Sequence, residues 1–588
     1  MKKRIRLLAL VLAVMMAVTS LTACGTTKKP DEKPGDNPKG TEAPEKQREE
    51  ITLTVYSQLA NFSGEMQGWF GKILKDKFNV KINLVPDSDG VYETRMEAQD
   101  LGDIIVWGAD GKKYMQAVEA GLLYDWEEDN LVQEYGPYIW EHMQDALEKN
   151  KFVSAPKNEA GELIGEADTI YGFGHNVASS SENHDAFFYT WDIRWDLYQQ
   201  LGKPKVDNLE DLMKVLEQMK AICPVDDNGK PTYAMSLWPD WDGNYVMYVK
   251  ALATAYYGYD EMGFGHYNVT NGEYYEALAP GSPYLEMLEW FNKLYQKGLL
   301  DPDSMTQTYD EMIAKVQNGG IFFSIFNYAG SMAYNKEEHY GQNKMMLSLK
   351  PAQATPIVAG LSTLGGNRVW SICSKTQYPE LCMEIINWLC TPEGRLTVDY
   401  GPKGLCWDYN EEGKTYFTDF GLKCKEDRTV LMPEEWGGLS FNDGAFQINN
   451  TTWTTSDINP ESGERYNSDF WASTQVPEGR CDTERDWRQT TGSKTVDEYM
   501  SKGSYVVDIP TSYSESARDA AFEATWQQVA TCLKDYSWRA IYAKDDAEFN
   551  AAVNEMRGKA KSYGYDKCIK WCENEAALRN ALQAPLRK

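Results

Sequence analysis

The sequence predicts an α/β protein built on a parallel, doubly wound sheet. Three observations carry that expectation. Strand-like and helix-like patterns alternate from Ile51 to Leu122 as strand, helix, strand, helix, strand within about 70 residues. The third strand, Asp103-Ile104-Ile105-Val106-Trp107, is apolar along its centre, as a strand covered on both faces must be. A new sheet then starts at Phe187-Phe188-Tyr189-Thr190, after the glycine-broken Tyr171-Gly172-Phe173-Gly174.

The elements follow from periodicity. Ile51-Thr52-Leu53-Thr54-Val55-Tyr56 alternates as a strand, and Met66, Phe70, Ile73, Leu74 and Phe78 recur at helical spacing. Val80–Val85 is a second strand and residues 91–98 a short helix, while Tyr114, Ala117, Val118 and Leu122 mark the next helix, with Gly121 near its end. Beyond the break, Asp207-Asn208 caps a helix with Leu212, Val215, Leu216 and Met219 on one face. Met287, Leu288, Phe291, Leu294 and Tyr295 make another helix, and Gly319-Gly320 leads into a buried strand through Phe326. Pro379-Glu380 opens an apolar helix with Leu381, Ile385, Ile386 and Leu389, and Ala520 to Leu582 is largely helical. Residues 408–515 are rich in Asn, Thr, Gly, Asp and Trp with little periodicity; Trp436, Trp453, Trp471 and Trp487 argue that this stretch is folded.

The chain has 588 residues, 42% of them hydrophobic, enough for two or three cores. Its formal charge of −29 disfavours nucleic acid and anionic lipid headgroups as partners. Met1-Lys2-Lys3-Arg4-Ile5-Arg6 and the apolar run Leu7–Val18 read as a signal peptide, followed by Leu21-Thr22-Ala23-Cys24-Gly25. That last segment resembles the lipobox of bacterial lipoproteins, which implies cleavage before Cys24 and a lipid on its sulfur; an ordinary secretory signal is the alternative. Loss of residues 1–23, with four basic and no acidic residues, takes the charge to −33. Residues 24–50, with Pro30, Pro34, Pro38 and Pro44 among polar residues, read as a disordered tether spanning about 30 Å. Cys382 and Cys390 fall in an apolar helical pattern and read as buried thiols. No cysteine or histidine spacing marks a metal site, and disulfide pairing is not legible.

The strand at Asp103–Trp107 stops at Gly108 with an aromatic and, at Asp110, a carboxylate beyond its C-terminal end. In open α/β sheets ligands bind there. Trp107 and Asp110 are thus either cleft residues or a core Trp beside a helix-capping Asp.

Gly102–Asp110 with Ala120-Gly121-Leu122-Leu123 resembles the first-lobe segment of maltose-binding protein and its relatives, the extracellular solute-binding proteins of ABC importers. Tyr189–Asp192 through Gly202-Lys203-Pro204, Asp310–Phe323, Tyr378-Pro379-Glu380 and Tyr400–Gly404 are similar to later family segments, in order. The chain looks like the larger oligosaccharide-binding lipoproteins of Gram-positive bacteria. The resemblance implies two doubly wound α/β lobes joined by a hinge (the type II periplasmic-binding-protein arrangement), with a ligand cleft between them. Lobe 1 would comprise residues 51–174 and 352–402, and lobe 2 residues 178–350 and 405–588. Crossings would lie near Gly172–Val177, Pro351–Pro356 and Gly401–Trp407. It implies a non-catalytic, monomeric binding protein on the extracellular face of the membrane, lipid-anchored with a palmitate-type acyl group, that delivers ligand to permease subunits.

With 19 Trp and 36 Tyr, aromatic residues reach 13% of the chain. Indoles stack on the apolar faces of sugar rings while Asp, Asn and Arg bond the hydroxyl edges, so an oligosaccharide is the expected ligand. By position in the family pattern, Trp107 and Asp110 belong to the first lobe, and the loop holding Trp238, Asp240 and Trp241 brings aromatics from the second. Asn327 and Tyr328 follow a buried strand, Asn61 and Phe62 follow strand one, Arg368 and Trp370 reach from the first lobe, and Trp407 sits at a crossing. For each, packing is the competing role. No cofactor is expected. Asp226-Asp227-Asn228-Gly229 is similar to a calcium loop of some larger members but lacks its alternation of acids and closing Glu, so Asp226 and Asn228 fit an Asx-turn better. A glycoside hydrolase, which also uses Trp platforms and paired carboxylates, and a non-transporting surface lectin are the competing function classes; peptide or amino-sugar cargo stays open within the importer reading.

Overall fold

A computed structural model describes residues 49–60, 62–88, 90–157, 163–181, 183–449, 455–476 and 478–587. The signal peptide, Cys24 and all but the last two residues of the expected tether lie outside these. In the first lobe, β1 (Ile51–Ser57) pairs in parallel with β3 (Val80–Pro86) along its whole length and with β4 (Ile104–Val106) at its C-terminal half. β10 (Val369–Ile372) returns antiparallel beside β4, β5 (Phe173–Gly174) flanks β10, and β2 (Gly64–Glu65) edges β3, giving the order β2-β3-β1-β4-β10-β5. The period-two alternation sends Leu53, Val55, Ile104, Val106, Trp370 and Ile372 to one face, under α1 (Gly68–Phe78) and α8 (Pro379–Cys390). Tyr56, Ile105, Trp107 and Val369 go to the other, under α2 (Val91–Ala98) and α3 (Lys112–Glu119). The sheet is therefore wound on both sides.

The second lobe centres on β6 (Tyr189–Arg194), antiparallel to β7 (Phe323–Phe326) and β8 (Met346–Ser348). Parallel bridges Tyr233–Ile321 and Met235–Leu300 extend the sheet beyond β7. Its core takes in α5 (Leu209–Ile222), capped by Asn208 accepting from the amides of Glu210 and Asp211, and α6 (Pro283–Gln296). The C-terminal helices α9 (Ala520–Ile541), α10 (Asp546–Ser562) and α11 (Tyr565–Gln583) join the same core.

Between the lobes, residues 178–181 and 183–185 lie against 359–362: the Ala178 amide donates to the Ser362 carbonyl at 2.9 Å, Leu361 to Asn183 at 2.9 Å and Asp185 to Ala359 at 2.8 Å. β9 (Ile357–Ala359) is also paired in parallel with β11 (Val506–Asp508). Arg579 of α11 holds Asp508 at 2.8 Å and Asp260 at 2.7 Å, so the C-terminal helix braces the hinge.

The lobe boundaries differ from the expected ones. Residues 405–588 do not all belong to lobe 2: Cys406, Trp407, Phe417, Cys424, Met432, Phe441, Ile448, Tyr466 and Trp471 lie in the lobe 1 core. Their reason for being there is α1, where Trp69 donates its indole N–H to the Phe441 carbonyl at 2.9 Å and Phe70 meets Phe446 edge-on at 5.1 Å. Gly401–Trp407 is thus no crossing. The chain passes to lobe 2 between Trp471 and Cys481, where the core residues change lobe. Ala354, Ile357 and Val358 pack in lobe 2, which moves the second crossing beyond residue 358. No helix among the described residues is long and apolar enough to cross a membrane.

Candidate ligand-binding site

At the carboxyl end of β7 the second lobe carries an aromatic platform. Trp241 is 49% exposed and lies flat on Tyr309, the ring centroids 4.5 Å apart and the planes 28° apart. Tyr328 stands 5.9 Å from Trp241 and 5.5 Å from Phe188, itself 46% exposed. Beneath them Trp238 is fully buried and touches Trp241, Tyr248, Tyr309 and Tyr328 edge-on. Trp238 is a pedestal and Trp241 the open face.

The loop is rigidly held. Asp240 accepts the amide of Tyr309 at 3.0 Å, which fixes the first turn of α7 (Tyr309–Gln317), itself closed by a Thr308–Glu311 capping box. Asp242 accepts from the Met247 amide and the Trp538 indole, both at 2.8 Å, and burial raises its pKa to about 6. Asn244 takes the Trp526 indole N–H at 2.8 Å. Both carboxylates thus hold the loop, and α9 supplies two of its anchors. Asn327 uses its side-chain oxygen to accept the Tyr328 amide at 2.7 Å and its own carbonyl to accept from Gly330 and Met332, so it shapes the turn that presents Tyr328.

The first lobe departs further from expectation. Trp107 has no free face: it is completely buried, ringed edge-on by Tyr56, Tyr92 and Tyr114, and donates its indole N–H to Ser371 at 3.1 Å. It is a core residue of the α2–α3 side. Trp370 and Trp407 are likewise sealed in the core, Trp407 donating to the Gly401 carbonyl at 2.8 Å. None of the three can stack on a ligand. Asp110 is also buried, which raises its pKa; it accepts from the Ser514 hydroxyl at 2.7 Å, a bond from the segment after β11 to the first lobe. Asn61 lies outside the described residues.

Phe62 and Arg368, by contrast, are only partly buried. Phe62 lines a cavity of about 670 Å³ with Glu65, Gln67, Arg428, Asp443, Phe446, Gln447 and Asn449, one wall from the segment around β2 and the other from the inserted 406–471 segment. Arg368 precedes β10 and therefore sits at the carboxyl edge of β4 and β5, where its carbonyl accepts from the His175 amide at 3.0 Å. It is half-buried, and desolvation lowers its pKa. His175 Nδ1 lies 2.9 Å from the same carbonyl and Nε2 lies 3.1 Å from the Asn449 amide nitrogen, so Nδ1 carries the proton. Burial lowers the His175 pKa to about 4, which keeps the ring neutral. Asn449 thereby links the Arg368 edge to the Phe62 cavity. Sequence reasoning missed Tyr309, Phe188, His175 and Asn449. Tyr309 had a signal in the capping box at its helix start; His175 and Asn449 meet only in the fold.

Among the described residues no group of three His, Cys, Asp or Glu side chains could hold a metal ion. The Asp226 loop is an Asx-turn, its carboxylate accepting the amides of Asn228 at 2.9 Å and Lys230 at 2.8 Å, while the Lys344 ammonium lies 2.6 Å from Asp227 where a cation would compete. Cys382 and Cys390 are buried thiols, as their helical pattern implied.

No protein-family model matches the sequence, and no curated protein sequence matches it. Solved structures do. The ABC-transporter substrate-binding protein FusA of S. pneumoniae, in complex with kestose, matches at 15% identity with a TM-score of 0.56, over 90% of this chain and 99% of FusA. This chain has the two-lobed solute-binding-protein fold. An HMO-binding, ABC-transporter-associated solute-binding protein of Bifidobacterium longum infantis matches at 13% identity and TM-score 0.56, over 90% and 98% of the two chains. The N-glycan transport solute-binding protein NgtS of S. pneumoniae matches at 15% identity and TM-score 0.51, over 90% and 99%.

Proposed function

We propose that the protein is a non-catalytic binding protein that captures an oligosaccharide between its lobes and hands it to the permease of an ABC importer. The observation that carries this reading is the open platform of Trp241, Tyr309, Tyr328 and Phe188 at a strand's carboxyl end. Rings gathered from four segments around a rigid loop, with Trp241 and Phe188 exposed, suit the apolar faces of sugar rings. The amides and Arg428 around the Phe62 cavity suit hydroxyl groups. The carboxylates of the platform loop are engaged in holding it, which favours capture over hydrolysis. The fold it shares with ABC-transporter solute-binding proteins supports the same reading.

In this reading the mature chain begins at a lipid-modified Cys24, is anchored on the extracellular face of the membrane by a tether, and acts as a monomer. Calorimetry against plant and host glycan oligomers, with products assayed in parallel, tests the function. Saturable one-to-one binding without turnover supports it; steady release of shorter sugars overturns it in favour of a hydrolase. Loss of sugar uptake on deletion of neighbouring permease genes separates importer from surface lectin. Mass spectrometry of the membrane-extracted chain tests the anchor, an unmodified N-terminus overturning it.

A further inference from the structure

The buried arginines of both lobes are paired with carboxylates: Arg194 with Asp196 at 2.7 Å, Arg395 with Asp457 at 3.3 Å, and Arg579 with Asp260 and Asp508. Arg368 is the contrast. It is half-buried, yet among the described residues no carboxylate lies within ion-pair distance of it, and desolvation alone perturbs it. Two residues earlier, the Gly366 carbonyl accepts the ammonium of Lys149 at 3.0 Å. Lys149 is buried and has no ion pair either; Asp110 acts on it only as a more distant charge. Lys157, half-buried, spends its ammonium on the carbonyls of Phe152 and Val153 at 2.7 and 2.8 Å, and also only senses Asp110. His175, between Arg368 and Asn449, is neutral. At the edge formed by the carboxyl ends of β4 and β5 and the amino end of β10, Arg368 and the buried Lys149, which is bonded to Gly366, thus have no carboxylate within ion-pair distance among the described residues, in a chain whose net charge is −29.

Cations without a paired anion are costly where water is partly excluded, unless an anion joins them. The position is a rim of the sheet's ligand-binding end, and a guanidinium offers two parallel N–H groups that match a carboxylate. Resting on the carbohydrate reading above, we propose that the captured oligosaccharide carries an acidic sugar, uronic or sialic in type, whose carboxylate is received by Arg368 with Lys149 behind it. The aromatic platform holds the sugar faces and Arg368 selects the charged residue.

The test is calorimetry of the mature chain against size-matched pairs of acidic and neutral oligosaccharides, and against the methyl esters of the acidic ones, at low and high salt. The acidic member of a pair should bind tighter and lose affinity at high salt. Esterification should weaken it about tenfold to a hundredfold. Arg368→Gln should weaken the acid as much, leave the ester unchanged and leave the melting temperature unchanged; Arg368→Lys should restore part of the loss. Neutral oligosaccharides that bind as tightly as acids, or an Arg368→Gln loss equal for acid and ester, overturn the acidic ligand while carbohydrate capture stands. No saturable binding by any sugar overturns both.

Discussion

Trp238 and Trp241 stand three residues apart and touch at 5.3 Å, yet their truncation should have opposite consequences. Trp241 has 49% of its surface open. A tryptophan presents roughly 200 Å² in all, so about 100 Å² awaits a ligand; at about 25 cal/mol per Å² that is about 2.5 kcal/mol of binding. Trp241→Ala should therefore weaken the ligand about 70-fold while costing the fold little. Trp238 has no open surface to give a ligand, but its removal leaves a cavity beneath four aromatic rings. Trp238→Ala should cost about 3–5 kcal/mol of stability and lower the melting temperature by about 10 °C. The assay is isothermal titration calorimetry on each variant beside differential scanning calorimetry. Unchanged affinity in Trp241→Ala, with the fold intact, would refute the platform as the binding surface. A Trp238→Ala chain as stable as the parent would refute its role as pedestal.

Three further outcomes follow from buried polar groups. Burial holds His266 neutral, with its pKa lowered to about 4, so the unfolded chain takes up that proton first; the stability it contributes is present above pH 6.5 and falls as pH drops toward 4. His266→Gln should lose about 2 kcal/mol less than the parent between pH 6.5 and 5 in urea unfolding; Asp192 and Asp242, both raised to about 6, slope the other way in both proteins and cancel in the difference. Arg579→Met strands Asp508 and Asp260 at the hinge, and should cost about 3–5 kcal/mol and increase amide exchange in β9 and β11 first. Ser514→Ala removes the hydroxyl that reaches Asp110 in the first lobe; a loss of about 1–2 kcal/mol of lobe docking should appear as a larger radius of gyration by X-ray scattering.

What the sequence made legible was whatever local periodicity determines. The strands at Ile51, Val80 and Ile104 and the C-terminal helices fall where apolar spacing puts them. The inserted segment was opaque because its apolar residues are spaced for contacts with α1 and α8, far off in the chain, with no helical or strand period of their own. The same limit split the site. Trp241 and Tyr328 stood out because aromatic residues in an acidic, polar loop are exposed unless packed, and here one indole is exposed and its neighbour packed. Trp107 misled for a physical reason: a strand's last residue points to the face its parity sets, and this one faces Tyr92 and Tyr114 under α2 and α3 rather than the strand ends.

In the proposed reading, the two halves of the site divide the work of capture. The platform belongs wholly to lobe 2, and a sugar stacked on it gains the same contact whether the lobes are apart or together. Such contacts supply affinity without moving the hinge, since only a difference in affinity between two states shifts their balance. Closure must come from groups the ligand meets in the first lobe, and the candidates there are polar: Arg368, the amides beside the Phe62 cavity, and the rim around His175. The hinge strands β9 and β11 are pinned from the second lobe by Arg579, so on closure the first lobe would move relative to that brace. Aromatic stacking then fixes which ring lands where, and a charge or hydroxyl met on the far side decides whether the lobes shut on it.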